Sequence, residues 1–477
     1  MSQKSNNSQN LSREAKLALE YSLTHKEDYL EELISFIKIP SVGTQPEMKL
    51  ETAAAAAWLA EKMKLAGLNH VATIPTEGNP LVYGDWLKAG SEKPTILVYG
   101  HYDVQPADPL HKWKTPPFEP TINDGYLYAR GTSDDKCQLY IHIKCVEAYL
   151  QVVERLPVNV KFIFEGEEES GGSSLEKFVS ESNDQLSADI ALMSDTPMIS
   201  KELPAIVYGL RGMCYVFLDV SGPSHDLHSG SYGGGINNPL NALAHIIAKL
   251  KDESGRILIP GFYDQVRPLT DKERHLLAEN PIQEDVWLAN TGAPEIWGES
   301  EYTLAERIGA RPTLDVNGII GGYTGEGAKT VLPSTAHAKI SMRLVPDQKV
   351  PDIYELFQEY IGQITPPTVQ TKCTFVHGGA PALINRDIPA MQAATEAYEN
   401  VFRQSPVFIR EGGSIPVVNL FKRHLGIESI LMGFGLPDDR IHSPNERFYL
   451  PNFYKGIECA IRFLDIYSRI SRNSEKS

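Results

Sequence analysis

Thr95-Ile96-Leu97-Val98-Tyr99-Gly100-His101-Tyr102-Asp103 is the stretch that decides the fold. Ile96 to Tyr99 is apolar without a polar alternation, as expected of a parallel strand buried on both faces. The run then ends in a histidine and an aspartate instead of an ordinary turn. Three further strands end in the same way. Val158 to Phe164 exits into Glu165-Gly166-Glu167-Glu168-Glu169-Ser170-Gly171, and Asp189 to Met193 exits into Ser194-Asp195. Ile427 to Gly433 leads into Asp438-Asp439-Arg440-Ile441-His442. A helix over Lys136 to Val153 separates the first two strands, which is βαβ grammar. In open α/β sheets, ligands bind beyond the carboxyl ends of the strands. Here those ends gather His, Asp and Glu from distant parts of the chain.

Working outward, Glu14 to Ile39 and Glu51 to Leu65 carry helical spacing, the first ending before Pro40 and the second at Gly67. The texture changes near Tyr208. Met213 to Val220 and Ala336 to Val345 alternate like half-buried antiparallel strands. Asn238 to Leu250 and Asp352 to Ile364 read as helices, and Thr371 to Val376 as a strand. Strand, helix, two strands, helix, strand suggests a small α+β lid of the split-βαβ kind. Pro260 to Pro312 is irregular and acidic and has no clear place. After Pro381 the first texture returns, with helices over Pro389 to Phe402 and Tyr454 to Ser471. The expected fold is therefore a mixed, mostly parallel α/β sheet with helices on both faces, over 14–207 and 382–472. It is interrupted at 208–381 by an inserted ferredoxin-like α+β lid domain.

Composition narrows the function classes. At 477 residues the chain exceeds one compact core. No apolar run approaches the roughly 20 residues that span a bilayer. A formal net charge of -16 argues against nucleic acid or an anionic membrane as partner. The five cysteines, Cys137, Cys145, Cys214, Cys373 and Cys459, are scattered and odd in number, so a reducing cytoplasm is expected. Met1 to Arg13 is polar, lacks the apolar stretch of a secretory signal and reads as a frayed tail, as does Ser471 to Ser477.

Two histidines and several carboxylates at the strand ends suit Zn²⁺, which takes imidazole nitrogen and carboxylate oxygen at about 2.0–2.2 Å. Two such ions polarise a carbonyl and lower the pKa of a bridging water toward ~7. That water needs a carboxylate that is not itself a ligand. Neighbours within Glu167-Glu168-Glu169 point to opposite sides of an extended segment and can hold different roles.

Several motifs carry a resemblance to the two-zinc peptidases that include aminoacylase, glutamate carboxypeptidase and cytosolic dipeptidase, most of all to the carnosinase-like dipeptidase branch. They are Gly100-His101-Tyr102-Asp103-Val104, Ala129-Arg130-Gly131-Thr132-Ser133-Asp134-Asp135-Lys136 and the Glu165 to Gly171 segment. Tyr208 to Gly212, Asp226-Leu227-His228-Ser229-Gly230, Gly327 to Val331 and Arg410-Glu411-Gly412-Gly413-Ser414-Ile415-Pro416 follow in order. The resemblance implies that His101, Asp134, Glu169, Asp195 and His442 ligate two divalent ions, zinc or else manganese, with Asp134 as the bridge. Glu168 would be the general base, with a metal-bridging hydroxide as nucleophile, and Asp103 would fix the His101 tautomer. The Asp134–Asp135 peptide is expected to be cis. A homodimer is implied, in which His228 reaches the partner's site and stabilises the oxyanion. Arg343 would hold the substrate's C-terminal carboxylate, with Thr330, Gly413 and Ser414 nearby. Cys137 stands where such proteins usually have glycine.

The implied substrate is a dipeptide or short peptide, with an N-acyl amino acid or a longer peptide trimmed from its C-terminus as alternatives. A metal-free binding protein on the same fold and a two-metal phosphoesterase remain open classes. Other histidines, such as His142, are expected in ordinary core or surface roles.

Overall fold

The computed structural model describes residues 11–278, 282–413 and 415–474. Most of the polar N-terminal tail, the end of the C-terminal one and Ser414 lie outside the described residues. The chain divides into two compact units. Met1–Tyr208, Ile384–Phe408 and Leu420–Ser477 form one, and Gly209–Leu383 with Ile409–Asn419 the other. The sequence reading placed the last of these segments in the first unit. It groups instead with the second for local reasons. Arg211 Nε donates to the Gly412 carbonyl at 3.2 Å, and a Cβ on Gly309 would meet the Arg410 carbonyl at 2.4 Å.

The sheet of the first unit contains β1 (Asn69–Ile74), β2 (Leu81–Trp86), β3 (Thr95–His101), β4 (Asn159–Glu165), β5 (Ile190–Met193), β6 (Ala205–Leu210) and β7 (Glu428–Leu431). Their order is β1-β2-β4-β3-β5-β7-β6. The centre, β4-β3-β5-β7, is parallel, and the flanking strands pair antiparallel. The parallel strands are those read from continuous apolar runs, and β4 is buried at every position. β1 carries no such signal, being half-exposed, with His70 in the left-handed region and a break in its register. β4 lies on one side of β3 and β5 on the other. The connections therefore reverse direction at β3, which opens a crevice at the carboxyl ends of β3 and β5.

Helices Lys49–Leu65, Cys137–Val153, Pro389–Phe402 and Leu450–Ser474 belong to the same unit. The helix expected over Glu14 to Ile39 is two, Arg13–Thr24 and Lys26–Ile37, parted at His25. Thr24 Oγ1 donates back to the Tyr21 carbonyl at 2.9 Å and His25 Nδ1 lies 2.8 Å from the same oxygen. The His25 backbone nitrogen also closes the last turn onto that carbonyl at 3.2 Å, so both side chains gather on the same acceptor at the helix end.

The second unit is built on strands Gly212–Ser221, Thr313–Gly321, Thr335–Leu344 and Gln370–Gly379. They form an antiparallel sheet in the order 313–321, 335–344, 212–221, 370–379. Helices Pro239–Ala248 and Val350–Ile364 contribute Leu243, Ile246, Phe357 and Ile361 to a core with Val216, Leu218, Val220 and Ile340 of the strands. The stretch without a clear sequence signal holds helices Asp271–Ala278, Glu284–Thr291 and Leu304–Gly309. A buried pair anchors it, with Arg311 forked onto Glu299 through two 2.8 Å bonds.

At the exits of β5 and β7 the chains run in contact. Met432 N donates to the Met193 carbonyl at 2.8 Å, and a Cβ on Gly433 would fall 1.7 Å from the Thr196 carbonyl. Backbone cannot give way there as a flexible side chain would. Gly433→Ala is therefore expected to destabilise the metal-free protein by about 1–3 kcal/mol, the usual cost of overpacking. Thermal unfolding measures this, and an unchanged midpoint would contradict the close approach.

Candidate metal centre

Each polar group at the crevice is delivered by a different element. His101 is the last residue of β3 and is completely buried. Asp195 follows β5 by two residues, after Ser194, whose Oγ lies 2.8 Å from the buried His142 Nε2. His142 thus steadies the segment bearing Asp195, a role its sequence context did not reveal. Glu168 and Glu169 lie in a short turn beyond β4. Asp134 sits in the turn Thr132–Lys136 before helix Cys137–Val153, with extended dihedrals (φ -126°, ψ 92°) that break the turn's winding. The Asp134–Asp135 peptide is cis, as the resemblance implied. His442 follows β7 in a turn and has a left-handed φ of 58°.

These residues form two groups that could each hold a metal ion. One is His101, Asp134 and Asp195, and the other is Asp134, Glu169 and His442, with the ligand atoms of each within 4.8 Å of one another. Asp134 belongs to both. Its Oδ1 lies 3.0 Å from His101 Nε2 and its Oδ2 2.9 Å from His442 Nε2. Asp195 Oδ2 is 3.7 Å from His101 Nε2, and Glu169 Oε1 is 3.2 Å from His442 Nε2. Yet His101 Nε2 and Glu169 Oε1 are buried with no properly aligned hydrogen-bond partner among the described residues. Atoms that crowd together without aiming a donor at an acceptor suit ligands of a common ion. The donor set, imidazole nitrogens and carboxylate oxygens, suits zinc or a similar divalent ion.

Electrostatics agree. Burial pushes Glu168 up to about 8, with the charges of Asp195, Glu169 and Asp134 adding to the rise and His101 opposing it. Burial, then the charge of Asp134, raises Asp195. The neighbouring carboxylates of Asp134 and Glu169 push His442 up to about 10. Positive charge placed among these carboxylates relieves the strain of gathering them.

The three consecutive glutamates have distinct roles. Glu167 accepts from Asn79 N at 3.2 Å and Ser174 N at 3.3 Å, which braces its own loop. Glu169 is in a ligand group, its Oε2 held by Gln105 Nε2 at 2.8 Å. Glu168 belongs to neither ligand group. Asp103 differs from expectation. The nearest acceptor to His101 Nδ1 is the Asp103 backbone carbonyl, at 3.1 Å, while its carboxylate lies at 3.6 Å. That carboxylate accepts from Glu169 N at 3.1 Å instead, tying the β3 exit to the β4 exit. Cys137 is buried at the start of its helix and joins no metal-capable group among the described residues.

The described residues expected at the substrate, His228, Thr330, Arg343 and Gly413, belong to the second unit. His228 is exposed, its Nδ1 accepts from Gly230 N at 3.1 Å, and it pairs in register with Val331. Ser229 N donates to the Thr330 carbonyl at 3.0 Å, so His228 and Thr330 are neighbours. Arg343 is half-buried on its strand, opposite Met213 and Thr313. Gly413 is exposed, with open space where a Cβ would stand.

The chain is similar to known proteins over most of its length. The chain matches the model of peptidase family M20/M25/M40 over residues 97–465. It is 33% identical over 464 residues to a Cys-Gly metallodipeptidase of Candida albicans, covering 93% of this chain and 95% of that protein. It is 31% identical to the Beta-Ala-His dipeptidase of Homo sapiens, over 93% and 91% of the two chains. The solved structure of an M20 family metallo-carboxypeptidase from Sulfolobus solfataricus superposes with a TM-score of 0.83 at 34% identity, over 92% of this chain and 99% of that one. With two candidate metal-ligand groups at the switch point of its sheet and a family match over residues 97–465, the chain belongs to peptidase family M20/M25/M40.

Proposed function

We propose that this protein hydrolyses the peptide bond of dipeptides or short peptides with a free C-terminal carboxylate, using two divalent ions, zinc first and manganese second. The observation that carries this reading is Asp134 shared between two ligand groups, with Glu168 beside them and outside both. Two ions bound there would polarise the scissile carbonyl and bring a water's pKa toward ~7. His101, Asp134, Asp195, Glu169 and His442 hold the ions, and Asp103 braces the loop behind Glu169. Glu168 takes the proton of the attacking water and delivers it to the leaving amine, for which a carboxylate raised toward neutrality is suited. The Cys-Gly and Beta-Ala-His dipeptidase relatives support a dipeptide as substrate.

The second unit serves in this reading as lid and dimerisation domain. Its βαββαβ order supports that assignment. His228 of the partner subunit stabilises the oxyanion, and its exposure and unengaged Nε2 leave it available for that. Arg343 holds the substrate carboxylate, with Thr330, Gly413 and Ser414 about it. Arg343 has no carboxylate within ion-pair distance among the described residues, which leaves its fork open to a ligand. The cytoplasm is its proposed location. The cysteines are unpaired, and no helix among the described residues is long and apolar enough to cross a membrane. The likeness to a metallo-carboxypeptidase supports a second reading, in which longer peptides are trimmed from the C-terminus. Rates on matched dipeptides, tripeptides and N-acyl amino acids separate these readings.

Glu168→Gln keeps the shape of the side chain but cannot take a proton. It is expected to retain both ions by elemental analysis while kcat falls by about 10²–10⁴, the usual worth of general acid–base catalysis. Full activity would remove Glu168 from the mechanism. Arg343→Ala is expected to weaken kcat/KM by about 10- to 100-fold, in keeping with a lost charged hydrogen-bonding group. C-amidated dipeptides should show a matching loss with the unaltered enzyme and no further loss with the variant. Equal turnover of amidated and free substrates would exclude the clamp.

A further inference from the structure

Glu446 is completely buried, and none of its bonds goes to a ligand side chain. One oxygen accepts from Arg130 Nη1 at 2.6 Å and Gly131 N at 3.0 Å. The other accepts from Ser133 N at 2.9 Å and Asp134 N at 3.3 Å. Its backbone carbonyl also receives Ala129 N at 3.2 Å. One residue thus satisfies donors along 129–134, the segment that presents Asp134. Glu446 also lies four residues after His442, at the far end of the turn that carries that histidine.

The near end of the turn is gripped in the same way. Asp439 Oδ2 accepts from Ser133 Oγ at 2.9 Å and from Leu436 N at 2.7 Å. Arg447 N returns to the Asp439 carbonyl at 3.0 Å, closing the turn between the two acids. His442 itself is half-exposed and strained at positive φ, so its position depends on these brackets. His101 and Asp195 do not need them, because buried strands carry them.

We propose that Glu446, assisted by Asp439, is a positioning residue that fixes the spacing of Asp134 and His442 and so selectively maintains the metal site made by Asp134, Glu169 and His442. This rests on the two-metal reading above. Both ligand groups use Asp134, but only one uses His442. Loosening the bracket should therefore weaken that site more than the His101–Asp195 site. Partners that orient ligands commonly contribute about 10- to 100-fold to metal affinity. Arg130 accompanies Glu446 as its buried counter-ion, with its other nitrogen on the Pro106 carbonyl at 3.1 Å.

The test is titration of the chelator-stripped full chain with cobalt(II), following the visible d–d absorption and the bound stoichiometry. The unaltered protein is expected to take two ions. In Glu446→Gln one ion should bind within about threefold of normal and the second about tenfold or more weakly, with altered absorption for that step. Asp439→Asn, which acts on the other end of the turn, should show the same asymmetry and stands in if Glu446→Gln does not fold. Equal weakening of both steps in proportion to a lowered melting point would make the bracket merely structural and overturn the proposal. So would two normal steps. Failure of the unaltered protein to take two ions would instead sink the two-metal reading.

Discussion

Carboxylates cannot be gathered in a buried pocket without positive charge among them, and this protein gathers Asp134, Glu168, Glu169 and Asp195 around two imidazoles. The neighbouring carboxylates of Asp134 and Glu169 push His442 up to about 10. A metal takes the neutral imidazole as its ligand. In the proposed reading, two divalent ions would meet the same electrostatic demand and leave the histidines to coordinate. Against the carboxylates of Asp134, Glu169 and Asp195 two such ions would leave a net positive site, and Glu168, outside both ligand groups, is the carboxylate proposed to exchange a proton there.

Two kinds of support deliver the ligands. His101 and Asp195 come from the ends of neighbouring buried strands, where the sheet's reversal opens its crevice. Asp134, Glu169 and His442 come from turns, which have less intrinsic rigidity. Behind each of these turns the structure places a buried or half-buried acid that accepts backbone N–H groups. Asp103 holds the nitrogen of Glu169, Glu167 holds the loop around it, and Glu446 holds the nitrogens of Gly131, Ser133 and Asp134. The many acidic residues near the centre thus divide into those that face the ions and those that face the backbone.

The parallel strands were legible in the sequence because they depend on a local signal, whereas the candidate ligand set, Asp134 above all, came from the resemblance. A continuous apolar run marks a strand buried on both faces, and His101, Asp195 and the Glu167–Glu169 run follow such runs directly. The residues that hold those ligands were not legible. Glu446 acts through backbone nitrogens and Asp439 through the Ser133 hydroxyl, both some three hundred residues away, a relation that no spacing records. The signal available was Arg130, a charged side chain inside an otherwise small and polar motif, which requires a buried counter-ion somewhere in the chain. Asp103, expected to hold the His101 ring, lies with its backbone carbonyl nearer to that ring than its carboxylate, a detail no sequence pattern carries. The break at His25 and the grouping of Ile409–Asn419 with the second unit also lacked a local signal, and side-chain bonds to the Tyr21 and Gly412 carbonyls accompany them.

The most direct measurement is a crystal structure of the zinc-loaded protein with anomalous data on both sides of the zinc edge. Two peaks about 3.5–4 Å apart, the separation of co-catalytic ions, are expected. One should lie against His101 and Asp195, the other against Glu169 and His442, with Asp134 between them. A single peak, or two peaks that do not share Asp134, would contradict the account.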